Sequence, residues 1–385
     1  MKCPTCFAHL QHEPRKLVCV GSCDPEVSAP ATSVRGYEVR VKTVFDAPAP
    51  AEPGRPVTAP CPKCGTPTSQ EACGYCSGNI PAHWRLSKIT CVAMAGARAT
   101  GKSLMLAVSK EQLALLLDRH HHSTFHGIGN TDEFFFRNYT QTLYEKRELM
   151  EPTPSAALDT TTVREPMMFQ FTERRPDGGS RQRILVLRDV AGEDLEALGG
   201  RDSSLSFYSR ADAVIALIDP LTVPQIRALL VGLVPGDAAI GGDGVAVLRH
   251  VLDLMGDGVP GARTPIPLAV VLSKVDTLQQ LTEVKNTVWA RIMDRPGSPL
   301  QRDPSLASGA FDTTDGDLLH AEVAGLLEEL GARSLTAMLR DRAETYHYFA
   351  TSALGVSPEG KDVPPGGISP FRAVDPFKWI LDAAD

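Results

Sequence analysis

The chain has 385 residues, of which 43% are hydrophobic and 22% are charged, and its formal net charge is −7. This composition is ordinary for a globular protein, and the length favours two or three structural units. No run of about 18 apolar residues occurs and the N-terminus lacks a signal-peptide core, so we expect a cytoplasmic protein without a membrane span. Residues 1–85 carry nine Lys/Arg against seven Asp/Glu and the rest 30 against 39, which excludes a strongly basic surface for nucleic acid.

Eight of the nine cysteines lie before residue 77, in four closely spaced pairs. In a chain without an export signal, this pattern indicates metal ligands rather than disulfides. Taking the pairs in chain order, we expect two structural Zn²⁺ sites of four thiolates each. The first set is Cys3, Cys6, Cys19 and Cys23, and the second set is Cys61, Cys64, Cys73 and Cys76. Few apolar residues lie nearby, so zinc is expected to supply much of the folding free energy, roughly 10–16 kcal/mol per site in finger peptides.

Residues 1–80 are therefore predicted to form a double zinc ribbon, with a strand at Gly36–Phe45 and a proline-rich linker at residues 47–60. Two Zn²⁺ ions held by eight thiolates turn the formal charge of +2 in this region into about −2. That charge favours docking of proteins over binding of nucleic acid. The ninth cysteine, Cys91, lies on a predicted core strand and is expected to be a small buried hydrophobic residue.

From residue 86 onward, apolar strands alternate with helices, which predicts a doubly wound α/β domain over residues 86–385. The predicted strands are Ile89–Ala95, Met167–Arg174, Arg183–Asp189, Ala213–Asp219, Leu268–Ser273 and Thr345–Thr351. The predicted helices are Ser103–His120, Thr131–Met150, Val245–Met255 and Pro376–Ala384. Insertions are expected around residues 120–160, 235–264 and 296–316.

The segment from Gly96 to Ser103 reads GxxxxGKS and lies between a predicted strand and a predicted helix. In this context the pattern predicts a P-loop, whose backbone N–H groups and helix dipole bind the phosphates of a nucleoside triphosphate. Lys102 is expected to contact the β- and γ-phosphates, and Ser103 to bind Mg²⁺. The residues expected to bind nucleotide here are Gly96, Ala97, Arg98, Ala99, Thr100, Gly101, Lys102, Ser103 and Leu104.

Two further motifs follow the P-loop along the chain. Asp189 and Gly192 form DxxG after a predicted strand, where we expect the carboxylate to bind Mg²⁺ and the glycine N–H to contact the γ-phosphate. Ser273, Lys274 and Asp276 form SKxD after another strand. The Asp276 carboxylate matches the N1–H and N2–H₂ donors of guanine, and adenine offers no such pair. These motifs predict a guanine nucleotide as the ligand.

Ser352, Ala353 and Leu354 follow the last predicted strand, where a backbone N–H is expected to contact guanine O6. The motifs GxxxxGKS, DxxG, SKxD and SAL, in this order, resemble those of Ras-like GTPases over about residues 86–385. The resemblance implies a mostly parallel six-stranded sheet with helices on both faces, binding of GTP, GDP and Mg²⁺, and two switch loops. The zinc clusters and Pro370–Trp379 look like bacterial proteins of GTPase-associated systems.

The resemblance also marks the residues that bear on hydrolysis, of which Lys102, Glu193 and Arg98 are the candidate catalytic residues. Glu193 stands where Ras-like proteins usually have a water-positioning glutamine, so we expect slow intrinsic turnover. Arg98 stands where a glycine is frequent, and either lies over the phosphates or faces solvent at the loop rim. Among the threonines before Met167, the resemblance favours Thr161 as the switch I ligand of Mg²⁺.

The sequence thus favours a GTP-binding and GTP-hydrolysing molecular switch that meets protein effectors or regulators through its switch loops and zinc ribbons. Two alternatives stay open. One is a nucleotide-binding scaffold with little or no turnover, and the other is an RNA- or ribosome-associated GTPase. The lack of a basic stripe argues against RNA, and single-turnover hydrolysis separates the switch from the scaffold.

Overall fold

The structure is a computed structural model that describes most of the chain. The described residues are 1–11, 14–49, 57–150, 165–175, 177–197, 203–234, 242–284, 287–293, 295–358, 360 and 362–383. Thr161 and part of the predicted linker therefore lie outside the described residues.

Within residues 1–80, the described residues form short strands and one helix. These elements are β1 (Lys16–Val18), β2 (Glu26–Val27), α1 (Ala29–Arg35), β3 (Arg40–Val41), β4 (Val44–Asp46), β5 (Ala59–Pro60), β6 (Pro67–Thr68) and β7 (Glu71–Ala72). β1 is antiparallel to β4 and to β7, β2 pairs with β3, and β5 pairs with β6. The prediction of one strand over Gly36–Phe45 is wrong, because Gly36 caps α1 at φ 73° and β3 and β4 join different sheets.

A seven-stranded sheet forms the centre of the described part of residues 86–385. Its strands are β8 (Lys88–Gly96), β9 (His126–Gly127), β10 (Met167–Arg174), β11 (Ser180–Arg188), β12 (Ala213–Ile218), β13 (Leu268–Leu272) and β14 (Tyr346–Ala350). Their spatial order is β14-β13-β12-β8-β11-β10-β9. The strands from β14 to β11 are parallel, and β10 is antiparallel to both neighbours. The predicted doubly wound α/β fold is confirmed. The sheet has seven strands instead of the expected six, because β9 is too short to produce a periodic sequence pattern.

Helices connect these strands and cover the sheet. In the described residues they are α2 (Lys102–His121), α3 (Thr131–Phe135), α4 (Gly192–Ala197), α5 (Pro224–Leu229), α6 (Gly244–Met255), α7 (Val275–Gln279), α8 (Val288–Met293), α9 (Thr313–Glu329), α10 (Arg333–Arg342) and α11 (Asp375–Ala383). The predicted helix Thr131–Met150 starts as α3, continues as a π-helix over Phe136–Lys146 and ends before Arg147, which has φ 60°. No helix in the described ranges has both the length and the apolar character to cross a membrane.

Both faces of the sheet are buried, which explains the near-continuous apolar strands. Along β8, Cys91, Ala93 and Ala95 belong to one core, and Val92 and Met94 to the opposite one. Residues of α6, α9 and α10 complete the first core, and residues of α2 and α11 complete the second. Cysteine loops from the N-terminal segment pack into the first core, so this segment is part of the covering layer of the sheet.

Candidate functional site

A cavity of about 370 Å³ lies at the carboxyl ends of the parallel strands. This is where ligands bind in open α/β sheets, and the volume suits a small molecule. All four sequence motifs contribute residues to the lining. The predicted residues that line it are Arg98, Ala99, Thr100, Gly101, Lys102, Ser103, Leu104, Gly192, Glu193, Ser273, Lys274, Asp276, Ser352, Ala353 and Leu354.

Some lining residues were not predicted from the sequence. Leu149, Met150 and Leu221 are apolar side chains with no motif to mark them, so only the folded chain brings them to the cavity. Val356 and Ser357 also line it, directly after the SAL motif. A polar residue so close to a predicted base-binding motif was a usable signal for Ser357.

The P-loop turns from β8 into α2 around a buried lysine. Gly101 is the N-cap of α2 with φ 87°, a left-handed conformation that favours glycine. Lys102 is 6% exposed, and its Nζ donates to the carbonyl oxygens of Gly96 at 2.7 Å and Ala97 at 3.3 Å. Burial lowers the pKa of Lys102, while the charge of Asp189 acts in the opposite direction. Lys102 lines the cavity, and Gly96 and Ala97, which are not among the lining residues, hold its ammonium group through their carbonyl oxygens.

Asp189 follows β11 as a buried carboxylate. Neither of its oxygens has a hydrogen-bond partner of normal geometry among the described residues. Burial raises the pKa of Asp189 to about 6, and Lys102 and the Val190 amide act in the opposite direction. A buried carboxylate without a partner is costly unless a cation meets it. The carboxylate of Asp189 and the hydroxyl of Ser103, which lines the cavity, are both oxygen donors of the kind that Mg²⁺ prefers.

The SKxD and SAL motifs are held together at the other end of the cavity. The Ser352 hydroxyl donates to Asp276 Oδ1 at 2.7 Å, and the Ser357 hydroxyl donates to Oδ2 at 3.0 Å. The Val275 N–H donates to the carbonyl of Thr351 at 3.0 Å, which joins the two motifs through the backbone. The carboxylate of Asp276 is therefore oriented before any ligand arrives, and each of its oxygens keeps further acceptor capacity.

Lys274 is oriented by a residue that the sequence did not reveal as part of the site. Its backbone is left-handed at φ 51°, and its Nζ lies 2.6 Å from Oδ2 of Asp219. Asp219 follows β12, has no exposed surface, and accepts from the Leu221 N–H through Oδ1. It was predicted only as the end of a strand. The pairing depends on the parallel contact of β12 with β13, which a linear pattern does not contain.

The three candidate catalytic residues occupy different depths. Lys102 is buried in the P-loop, whereas Arg98 and Glu193 lie at the mouth of the cavity. Arg98 Nη1 lies 3.5 Å from Glu193 Oε1, with side chains 60% and 40% exposed. Such an exposed pair contributes little to stability. It does bring two residues that are 95 positions apart in the chain into direct electrostatic contact.

Gly192 packs directly against the P-loop backbone. A Cβ atom added there would lie 2.4 Å from Arg98 N and 2.5 Å from the carbonyl carbon of Ala97. Nearby, the Arg98 N–H donates to Oε1 of Glu196 in α4 at 3.0 Å. The start of α4 therefore lies on the P-loop, as expected for a segment that contacts the γ-phosphate.

The eight N-terminal cysteines form two groups, but the predicted grouping is wrong. Cys3, Cys6, Cys73 and Cys76 form one group, which we call the inner cluster. Cys19, Cys23, Cys61 and Cys64 form the other, which we call the outer cluster. The antiparallel pairing of β1 with β7 explains why the first cysteine pair joins the last pair rather than the second. It brings the chain before β1 beside the chain after β7, and therefore the first knuckle beside the last.

Each cluster has the dimensions of a tetrahedral zinc site. All ligand atoms of a cluster lie within 4.8 Å of one another. Sulfur atoms are 3.7 Å apart for Cys3 with Cys76 and 3.5 Å apart for Cys19 with Cys64. A Zn–S bond of about 2.3 Å gives roughly 3.8 Å between thiolates in a tetrahedron. Both clusters could hold Zn²⁺. Cys91 is apart from both, fully buried, and burial raises the pKa of its thiol.

The fold and the P-loop define a GTPase-type domain, and the chain belongs to the Double-GTPase 2 family. The sequence profile of that family matches residues 90–330, which is more than half of the chain. Among curated proteins, the chain is similar to SaeC of Mycolicibacterium smegmatis, whose name describes a proposed ESX-1 scaffolding and assembly protein. The two are 40% identical over 314 residues, which cover 80% of this chain and 79% of SaeC.

Proposed function

We propose that this protein binds GTP and GDP and hydrolyses GTP as a molecular switch, with its N-terminal segment recruiting protein partners. The observation that carries the proposal is a cavity that residues of all four motifs line together. Membership of the Double-GTPase 2 family supports it. The name of SaeC, which describes scaffolding and assembly, supports a role among protein partners.

In the proposed complex, the phosphates lie on the P-loop and α2. Ser103 and Asp189 are the residues that would hold Mg²⁺, and the bound ion would neutralise charge on the β- and γ-phosphates. The Lys102 ammonium exchanges its two carbonyl partners for phosphate oxygens, which is favourable because those carbonyls are neutral. Water attacks the γ-phosphorus, the bond to the bridging β–γ oxygen breaks, and GDP and phosphate leave.

In the same complex, the guanine base lies between Lys274 and the SAL segment. Asp276 accepts from N1–H and N2–H₂ of the base while Ser352 and Ser357 hold the carboxylate. Asp219 keeps the Lys274 side chain extended along the base face. Guanine selectivity then follows from one oriented carboxylate, because adenine has no donor pair to match it.

Calorimetry on the unmodified protein tests the ligand. We expect GTP and GDP to bind at least 100-fold more tightly than ATP, since an unmatched buried carboxylate costs about 3 kcal/mol or more. Asp276→Asn should shift preference to xanthine nucleotides, whose C2 carbonyl matches the amide donor. Lys102→Ala should abolish tight binding of both guanine nucleotides. Equal affinity for ATP and GTP in the unmodified protein would refute the assignment.

A nucleotide-binding scaffold with little turnover is the second candidate function. Two observations favour it: the name of SaeC, and the carboxylate of Glu193 at the position expected for a neutral amide. Single-turnover hydrolysis with excess protein and Mg²⁺ separates the two functions. The switch predicts a rate of ~10⁻⁴–10⁻² s⁻¹ without a partner. Hydrolysis at the background rate, with GTP bound, would establish the scaffold.

A further inference from the structure

The inner cluster contacts the strand end that leads to Asp189. Arg188 is the last residue of β11, and its side chain is buried. Its Nη1 donates at 2.6 Å to the carbonyl of Thr5, which lies inside the Cys3–Cys6 loop. The same guanidinium lies 3.8 Å from the ring centroid of Phe207, a cation–π distance. Arg188, the residue directly before Asp189, thus connects the end of β11 to a cysteine loop of the inner cluster.

Residues 203–212, which follow α4 in the chain and which we call the return segment, contact the same cysteine loop. Phe7 meets Phe207 edge to face, with ring centroids 5.5 Å apart. Lys2 Nζ lies 2.6 Å from Oδ1 of Asp212. The side chains of Phe7 and Phe207 are both 1% exposed or less. The return segment is therefore packed on the N-terminal segment through a dry aromatic contact and a charged pair.

Helix α1 adds contacts to the return segment and to the chain just before β10. Ser203 Oγ lies 2.8 Å from Ser33 Oγ and donates to the carbonyl of Ser33 at 2.9 Å. Arg35 forms an ion pair with Glu165, which lies two residues before the start of β10. Glu165 follows the stretch in which the switch I threonine is predicted. The N-terminal segment thus contacts the chain next to switch I as well as the return segment.

We propose that the inner cluster is a positioning element for the nucleotide site, an inference that rests on the proposed nucleotide-binding function. Through Arg188 and the return segment, and through α1, whose Val34 shares a hydrophobic core with the inner cysteines, it holds the Asp189 strand end and the chain beside both switches in the arrangement that binds nucleotide. The contacts are made by packed side chains and hydrogen bonds, the kind of network through which energetic coupling is carried. Coupling is reciprocal, so bound nucleotide must stabilise Zn²⁺ on the inner cluster by the same factor.

The outer cluster provides an internal comparison. Its hydrogen bonds run within the N-terminal segment: the Gly21 N–H donates to Cys19 Sγ at 3.2 Å, and Cys64 Sγ donates to Thr66 at 3.3 Å. It is also less enclosed, because Cys64 is only half-buried. Nucleotide is therefore expected to leave zinc release from the outer cluster unchanged.

Zinc release from the full-length protein tests the coupling. A chromogenic chelator follows release with and without saturating Mg·GDP or a non-hydrolysable Mg·GTP analogue, and pulsed alkylation with mass spectrometry assigns each phase to its cysteines. We expect nucleotide to slow release from the inner cluster about fivefold or more, the lower end of usual coupling factors, and to change the outer cluster less than twofold. Equal rates with and without nucleotide at the inner cluster would overturn the inference.

Arg188→Lys tests the link itself. A lysine keeps the charge but cannot both stack on Phe207 and donate through a planar fork. We expect Arg188→Lys to weaken nucleotide affinity about fivefold and to abolish the effect of nucleotide on inner-cluster zinc. Arg181→Lys is the matched control, because Arg181 lies on the same strand and pairs with Glu173 away from the cysteines.

Calorimetry on the same samples distinguishes a failure of the proposed nucleotide-binding function from a failure of the positioning role. If the unmodified protein binds no guanine nucleotide, the proposed function fails. If it binds nucleotide and inner-cluster zinc release does not respond, the proposed function stands and the positioning role is refuted. Should Arg188→Lys fail to fold, the zinc-release measurement on the unmodified protein still decides.

Discussion

Arg98 and Glu193, two of the candidate catalytic residues, form an ion pair in the structure. Read from the sequence, Arg98 either covers the phosphates or faces solvent. The structure pairs it with Glu193 at 3.5 Å, on the exposed mouth of the cavity. In the proposed GTP complex, a carboxylate at that position would repel the γ-phosphate, and the neighbouring guanidinium would offset part of that repulsion. The pair therefore has to be tested as a unit.

Single-turnover rates of three variants separate the contributions of this pair. We expect Arg98→Ala to slow hydrolysis about tenfold, because Glu193 then faces the phosphates uncompensated. Glu193→Gln should raise the rate, since the amide keeps the water contact and releases Arg98. The double variant should show non-additive behaviour, as contacting residues do. A slower rate for Glu193→Gln would instead mean that the carboxylate itself orients the water.

His347, on β14 and not among the residues that line the cavity, gives the protein a pH-dependent stability. Burial lowers its pKa to about 4, and the neighbouring His320 acts in the same direction. In the unfolded chain this imidazole has a pKa near 6.5, so below that pH the unfolded chain binds more protons than the folded one. The free energy of unfolding is therefore highest above about pH 6.5 and decreases as the pH falls towards 4. Urea unfolding at pH 7 and pH 5 should differ by roughly 1–2 kcal/mol from this group. His347→Gln should remove that part of the difference; an unchanged pH dependence would contradict the assignment.

At the scale of the element, the start of α4 is defined by its contact with the P-loop. Gly192 lies so close to the backbone of Ala97 and Arg98 that a side chain there must displace one of the two segments. Glu196, one turn later, accepts a hydrogen bond from the Arg98 amide. This segment is therefore positioned to respond to a γ-phosphate on the P-loop.

Gly192→Ala tests that response. In the proposed complex, the added methyl group would move the Gly192 N–H away from the γ-phosphate, which GDP lacks. We expect affinity for a non-hydrolysable GTP analogue to fall about tenfold, the value of a hydrogen bond to a charged group, and GDP affinity to change less than twofold. Gly325→Ala is the control, because a Cβ at that position in α9 would meet no described atom within 4 Å apart from its chain neighbours and the backbone of its own helix. Equal losses for both nucleotides would contradict a γ-phosphate contact.

At the scale of the whole molecule, the N-terminal segment and the sheet share one core. The four inner cysteines are at most 2% exposed and belong to the same hydrophobic cluster as Phe207 and Tyr208. The outer cluster lies further from the sheet in the packing, with its own small apolar group around Phe45. We therefore assign recruitment of protein partners to the outer cluster in the proposed function, because the inner cluster is already covered.

Zinc content of serine variants tests the crossed grouping, and the unmodified chain should bind two Zn²⁺. One variant replaces the outer cluster, Cys19, Cys23, Cys61 and Cys64. The other replaces the last four cysteines, Cys61, Cys64, Cys73 and Cys76. The structure predicts one zinc ion in the first variant and none in the second, whereas grouping in chain order predicts the reverse. Elemental analysis of the purified variants measures the difference.

Local patterns were sufficient for much of this protein. The P-loop, the DxxG, SKxD and SAL motifs and the apolar strands each depend on residues within about ten positions. The confirmed α/β fold follows from their alternation, because continuous apolar strands between helices require a sheet covered on both faces. The helix ends at Arg147 and Gly36 were missed, because a single residue in the left-handed conformation decides them.

Everything that depends on distant partners came from the tertiary structure. By itself, the sequence determined which cysteines come in pairs and which residues form the nucleotide motifs. Only the packing of β1 on β7 decided which pairs join, only the contact of β12 with β13 brought Asp219 to Lys274, and only the folded core joined Arg188 to Thr5. The physical reason is that a spacing along the chain encodes local geometry, whereas strand pairing and core packing select among many distant partners by burial and hydrogen bonding.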